Sequence, residues 1–132
     1  MRPQALDGRL VLLVDDGPLV LHLVARLLTE AGYVVLLAGD GEEGLAVTAM
    51  LGDKLGLVVT DIRMPVLDGF TMAARLRDAK PDLPLLFISG FAPVGGRESL
   101  PGPMLNKPFT SDALLTHVRG LLSTSDAAIK PA

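Results

Sequence analysis

The chain has 132 residues, 49% of them hydrophobic, with no cysteine and a formal net charge of −3. This length suits one domain, and the hydrophobic content is high enough to bury a core. The lack of cysteine excludes disulfide bonds, zinc–thiolate sites and cysteine nucleophiles, and the scattered charges with only 4% aromatic residues argue against direct nucleic-acid binding.

The first predicted elements are a strand and an amphipathic helix. Residues 10–14 form a continuous apolar run, which is typical of a strand that is buried on both faces. Over residues 19–28 the apolar positions repeat at a spacing of four with polar residues between them, which predicts a helix. Gly32 follows as the signal that ends this helix.

A second strand, a second helix and a third strand come next. The apolar run at 33–38 predicts the second strand. Asp40, with Glu43 three residues later, matches a capping box and therefore predicts the start of the second helix. The third apolar run, at 55–60, predicts another strand that is covered on both faces.

The third helix and the fourth strand are predicted at about 68–78 and at 85–89. The segment that follows, at 90–103, is rich in proline and glycine. Both residue types disfavour a helix interior, so the fourth helix is predicted to be short or irregular.

A weaker apolar run at 104–105 predicts the fifth strand, and the last helix begins at Thr110 or Ser111. Strand and helix thus alternate five times. Such alternation implies right-handed crossovers, so the predicted fold is α/β, a doubly wound five-stranded parallel sheet.

The chain is predicted to be a single domain, with a core at about 8–122 and short tails at 1–7 and 123–132. Its longest apolar run has six residues, at 33–38, whereas a membrane-spanning helix needs about 20. The N-terminus does not resemble a secretory signal. We therefore expect a soluble, cytoplasmic protein that does not insert into a membrane.

The ends of the predicted strands carry the residues with the most chemistry. Asp15 and Asp16 follow the first strand, Asp61 follows the third, Ser89 ends the fourth and Lys107 follows the fifth. In an open α/β sheet the ligand site lies beyond the carboxyl ends of the strands. If the first, third and fourth strands are neighbours, three carboxylates converge there. Carboxylates that repel one another favour a bound cation, and oxygen ligands select Mg²⁺ or the similar Mn²⁺.

Each of these residues also has a purely structural interpretation. Asp16 is suitably placed to cap the helix that begins near Pro18, and Ser89 is suitably placed to cap a turn. Only the joint placement of the polar residues at strand ends favours a site.

Five separated motifs resemble the receiver domain of two-component response regulators. They are LLVDD at 12–16, VTDIRMP at 59–65, DG at 68–69, SG at 89–90 and NKPF at 106–109. The resemblance covers about 8–122. The sequence SGFA at 89–92 is particularly similar to receivers attached to hybrid histidine kinases. It implies a (βα)5 flavodoxin-like fold with strand order 2-1-3-4-5.

The resemblance implies a phosphorelay function. Asp61 matches the residue that accepts a phosphoryl group from a histidine kinase or a histidine phosphotransfer domain. Asp16, Asp61 and the backbone carbonyl of Arg63 would then bind Mg²⁺ directly, and Asp15 would bind it through water. Such a domain is not a conventional enzyme, but it catalyses its own Mg²⁺-dependent phosphorylation and dephosphorylation, which switches a surface toward an output partner.

The remaining matched positions have supporting roles in the family. Lys107 would place a positive charge beside the phosphoryl oxygens, and Ser89 would offer a hydroxyl that moves toward them. Pro108 matches the proline whose preceding peptide bond is cis. Met104 stands where an aromatic switch residue is usual, and its flexible side chain can repack but cannot present a rigid ring.

Three alternative functions compete with this one. A haloacid-dehalogenase-like phosphatase needs a second aspartate two residues after the nucleophile, where this chain has Arg63. A flavodoxin-like cofactor protein needs a phosphate-binding loop where this chain has Asp15 and Asp16. The stronger alternative is a degenerate receiver that acts as a constitutive protein-interaction module.

Overall fold

The structure is a computed structural model that describes residues 10–62, 64, 67–90 and 102–129, with backbone only for residues 123–129. Five strands and four α-helices occupy these residues. The elements are β1 (Leu10–Val14), α1 (Pro18–Glu30), β2 (Val34–Ala38), α2 (Gly41–Leu51), a 3₁₀ turn (Gly52–Lys54), β3 (Leu55–Asp61), α3 (Gly69–Ala79), β4 (Leu85–Ser89), β5 (Met104–Asn106) and α4 (Ser111–Ile129).

The five strands form one parallel sheet in the order β2-β1-β3-β4-β5, which confirms the predicted topology. The register aligns the ends of the strands. Val14 lies opposite Thr60, and Ser89 lies opposite Asn106. Asp15, which directly follows β1, and Asp61, the last residue of β3, are therefore neighbours at one edge of the sheet.

Helices cover both faces of the sheet, which explains why the strands are continuously apolar. Leu12 and Val14 pack into the core beneath α2 and α3, together with Met72. Val11 and Leu13 point to the opposite face and pack with residues of α1 and α4. Because the side chains of β1, β3 and β4 are buried on both faces, the alternation of an exposed sheet is absent from these three strands.

The start of α2 has the capping box that the sequence predicts. The Asp40 carboxylate accepts a hydrogen bond of 2.9 Å from the Glu43 N–H, and Glu43 in turn accepts one of 2.6 Å from the Gly39 N–H. These bonds satisfy backbone donors that the helix itself leaves without partners.

Asp40→Ala is expected to lower the free energy of unfolding by about 1 kcal/mol, because the Glu43 N–H loses its side-chain acceptor. Urea unfolding followed by circular dichroism measures this change. Asp78→Ala, which removes an exposed carboxylate from α3 outside a capping position, is the control and should shift the free energy by less than about 0.5 kcal/mol. Equal unfolding midpoints for the two variants would show that the cap contributes nothing.

Helix α4 continues to Ile129, into the segment 123–132 that the sequence predicts to be a short tail. Residues 123–129 contain neither proline nor glycine, so nothing local ends the helix before Pro131. The predictions for a short fourth helix and for Arg63 concern residues outside the described ranges. Within those ranges, no helix has the length and apolar character that crossing a membrane requires.

Candidate functional site

Three carboxylates meet at the edge of the sheet where β1 and β3 end. Asp15 and Asp16 follow β1 directly, and Asp61 is the last residue of β3. Each can supply one oxygen such that these atoms all lie within 4.8 Å of one another. The structure thus brings together the three acidic residues that the sequence placed at strand ends.

The Asp61 carboxylate is held at both of its oxygens. Oδ1 accepts a hydrogen bond of 2.7 Å from the backbone N–H of Ile62, and Oδ2 accepts one of 3.0 Å from Nζ of Lys107. The residue as a whole is only 9% exposed. The carboxylate therefore has a defined orientation and remains reachable from one side.

Asp15 lies deeper than Asp61 and is only 2% exposed. Its Oδ1 accepts a hydrogen bond of 2.8 Å from the Gly17 N–H, and its Oδ2 accepts one of 3.2 Å from Nζ of Lys107. Burial raises the pKa of Asp15 above its ordinary value, although the Gly17 N–H and the Lys107 charge act in the opposite direction.

Lys107 joins the two buried carboxylates. Its backbone N–H donates to the Ser89 carbonyl over 2.8 Å, and the peptide bond between Lys107 and Pro108 is cis. Burial of the ammonium acts to lower the pKa of Lys107, but the hydrogen bond and charge of Asp61, with those of Asp15, raise it above the ordinary value. The ammonium is thus held in its charged form between two carboxylates.

Asp16 differs from the other two acidic residues because it is exposed. The N-cap of α1 is Gly17, which makes no side-chain capping bond, and Pro18 is the first helical residue. Asp16 therefore precedes the cap position, and the interpretation of Asp16 as the helix cap is wrong. Its carboxylate lies on the solvent side of the cluster.

The remaining predicted site residues lie around this cluster. Ser89 ends β4 and is 1% exposed, and Met104 on β5 is buried opposite Phe87. Pro108 is exposed beside Lys107. These positions fit supporting roles beside the cluster.

Sequence reasoning missed the backbone groups that hold the site. The N–H groups of Gly17 and Ile62 bind the buried carboxylates, and the N–H of Gly69 donates to the Ile62 carbonyl over 2.8 Å. Backbone donors are the same in almost every residue, so no sequence pattern marks them. The one available signal was Gly69 itself, directly after Asp68, which caps α3 through the Thr71 N–H.

The donor set of this cluster suits a magnesium ion. Carboxylate oxygens are the ligands that Mg²⁺ prefers, and here three residues can offer them within one small region. Three carboxylates and one ammonium leave two negative charges in excess, which one divalent cation balances. Exposed Asp16 leaves an approach from solvent, which suits an ion that retains several waters.

Comparison with known proteins agrees with this geometry. The family profile described as the response regulator receiver domain matches residues 11–119. The sensor kinase CckA of Brucella abortus is 37% identical over 120 residues, which cover 88% of this chain. The chain spans 13% of the length of that kinase and about half the length of several similar transcriptional regulators.

Solved structures agree as well. The receiver domain of the hybrid histidine kinase CckA is 33% identical with a TM-score of 0.75, and the match covers 86% of this chain and 98% of that domain. TrrA of Thermotoga maritima, solved in complex with Mg²⁺-BeF, is 30% identical with a TM-score of 0.76, over 86% of this chain and 98% of TrrA. With the profile match spanning β1 to α4 and including the acidic cluster and Lys107, this chain belongs to the response regulator receiver domain family.

Proposed function

We propose that this chain accepts a phosphoryl group on Asp61, in the presence of Mg²⁺, from the phosphohistidine of a histidine kinase or a histidine phosphotransfer domain. The observation that carries this proposal is the setting of the Asp61 carboxylate. It lies between the Ile62 N–H and Nζ of Lys107, with two further carboxylates within reach of the same ion.

Each residue of the site has a separate role in the transfer of the phosphoryl group. A carboxylate oxygen of Asp61 forms a bond to phosphorus while the bond from phosphorus to the donor nitrogen breaks, and the imidazole leaves with the electron pair of that bond. The Ile62 N–H keeps the attacking group oriented, and Lys107 supplies a positive charge beside the incoming phosphoryl oxygens. Buried Ser89 supplies a hydroxyl near the end of β4.

The metal would be held by Asp16 and Asp61 directly and by Asp15 through water, with the backbone carbonyl of Arg63 as a further ligand that the family resemblance implies. Bound there, Mg²⁺ would neutralise charge on the phosphoryl oxygens, and positioning with such charge stabilisation accounts for nearly all of the catalysis of phosphoryl transfer. TrrA, the similar protein solved with Mg²⁺-BeF, supports this assignment.

Incubation with acetyl phosphate tests the function without a kinase. With Mg²⁺ we expect intact-mass spectrometry to show one added phosphoryl group per chain, and peptide mapping to place it on Asp61. With excess EDTA the addition should disappear. No addition with Mg²⁺ would contradict the proposal and favour the constitutive interaction module, which should also show no site-specific response to Mg²⁺.

Asp16→Asn is expected to weaken Mg²⁺ binding at least about tenfold. Loss of a residue that only supports a metal ligand already weakens metal binding by about 10- to 100-fold, and Asp16 is proposed as a direct ligand. Because Asp16 is exposed, the variant should unfold at nearly the wild-type urea concentration. A Mg²⁺ titration followed by NMR amide shifts measures the affinity. Asp78→Asn, an exposed aspartate on α3, is the control. Equal affinities for the two variants would remove Asp16 from the ligand set.

A further inference from the structure

The N-terminus of α3 lies unusually close to the backbone of the acceptor residue. A Cβ atom at Gly69 would collide with the Asp61 carbonyl oxygen and would come within 2.9 Å of the Asp61 carbonyl carbon and 3.1 Å of Ile62 Cα. Cβ atoms in proteins essentially never come within 3.0 Å of such atoms. Only glycine permits this approach.

The other end of the same loop shows a second close approach. A Cβ atom at Gly41, the first residue of α2, would collide with the carbonyl oxygen of Leu67 and lie 3.0 Å from its Cβ. Helices α2 and α3 thus contact the backbone at both ends of the segment 61–68, which we call the acceptor loop. We propose that Gly41 and Gly69 are positioning residues that hold this loop so that Asp61 meets Lys107.

The backbone of Asp61 and Ile62 has little freedom to move away from a methyl group added at Gly69. The atoms that Gly69 would meet are backbone atoms of Asp61 and Ile62, and Asp61 is paired with Ile88 in the sheet. The Gly69 N–H also donates to the Ile62 carbonyl. A methyl group at position 69 must therefore displace the peptide that joins Asp61 and Ile62, or the start of α3.

Such a displacement reaches the carboxylate directly. The Ile62 N–H belongs to that peptide and donates to Asp61 Oδ1, while Asp61 Oδ2 accepts from Lys107 over 3.0 Å. Both bonds change when the peptide moves. Gly69 thus influences the orientation of the acceptor through the backbone, and Gly41 contacts the same chain segment at Leu67.

Two other glycines provide matched controls for the same chemical change. A Cβ atom at Gly44 on α2 would lie 2.8 Å from Met72 Sδ and 3.1 Å from Val14 Cγ2, so Gly44→Ala disturbs core packing, and the nearest atoms that it meets belong to side chains of β1 and α3. A Cβ atom at Gly120 on α4 would meet nothing within 4 Å. The first control measures the effect of lost stability, and the second measures the effect of the added methyl group.

The kinetic test rests on the proposed function and uses the whole chain with acetyl phosphate and Mg²⁺, at a temperature where circular dichroism shows each variant folded. We expect Gly69→Ala to be phosphorylated about 10- to 100-fold more slowly than the wild type, the scale of loss that a misplaced reacting group causes. Gly41→Ala, which acts at the far end of the loop, should slow the reaction less. Gly44→Ala and Gly120→Ala should react at close to the wild-type rate.

A second measurement needs neither metal nor phosphoryl donor. The chain has only four lysines, so the side-chain ¹³Cε–¹Hε signal of Lys107 can be assigned with Lys107→Arg. We expect this signal to shift in Gly69→Ala and Gly41→Ala but not in Gly44→Ala. If the wild type accepts no phosphate while this signal still shifts, the proposed function fails and the positioning role stands.

Three results would overturn the positioning role. They are an unchanged Lys107 signal in both loop variants, an unchanged phosphorylation rate in both while the wild type reacts, and an equal loss of rate in Gly44→Ala. If Gly69→Ala does not fold, Gly41→Ala decides by the same criteria.

Discussion

Asp61→Asn is expected to gain no phosphoryl group from acetyl phosphate and Mg²⁺ under conditions in which the wild type gains one. Asparagine keeps the shape of aspartate and an oxygen for the Ile62 N–H, so the local backbone is retained. It lacks the charged oxygen that attacks phosphorus, and it leaves Lys107 with Asp15 as its remaining carboxylate. Intact-mass spectrometry measures the incorporation, and circular dichroism checks that the variant is folded.

Asp78→Asn is the matched control for this experiment because it changes an exposed aspartate on α3 that lies outside the site. It should be phosphorylated like the wild type. A phosphoryl group on Asp61→Asn would place the acceptor at another residue and would contradict the assignment.

Lys107→Ala is expected to slow phosphorylation by about 10²- to 10³-fold, the loss that follows removal of one preorganised charge-stabilising donor. Nζ lies 3.0 Å from Asp61 Oδ2 and 3.2 Å from Asp15 Oδ2, so its charge is placed where a phosphoryl group arrives. Mg²⁺ binding should be retained, because the variant removes a positive charge and no metal ligand. Lys107→Ala should therefore slow phosphorylation while Mg²⁺ still binds, whereas Asp16→Asn should weaken Mg²⁺ binding itself.

Lys80→Ala is a closely matched control for Lys107→Ala. The two lysine side chains have similar exposure, 25% for Lys80 and 23% for Lys107, and each pairs with aspartate. The Lys80 pair with Asp53 is longer, at 3.9 Å, and lies outside the site. Lys80→Ala should be phosphorylated at close to the wild-type rate. If Lys107→Ala instead loses Mg²⁺ binding, the role assigned to Lys107 is wrong.

The sequence by itself determined the elements and their order in the chain. Apolar runs predicted β1, β3 and β4 because a strand covered on both faces is apolar throughout, and the Asp40 capping box predicted the start of α2. The strand order came with the family resemblance, and the structure confirms it. The end of α4 at Ile129 could not be located from the sequence, because a helix end without a proline or glycine signal has weak local determinants.

Only the tertiary structure decided how the carboxylates are held. Lys107 bonds to Asp61 and to Asp15 across 46 and 92 positions of sequence, and those contacts depend on strand register and burial rather than on local pattern. The close approach of Gly69 to the Asp61 carbonyl is likewise invisible in the sequence, because a glycine signals a permitted contact but not its partner. Residue types thus specified which groups are present at the site, and strand register together with the packing of α3 against the end of β3 decided their geometry.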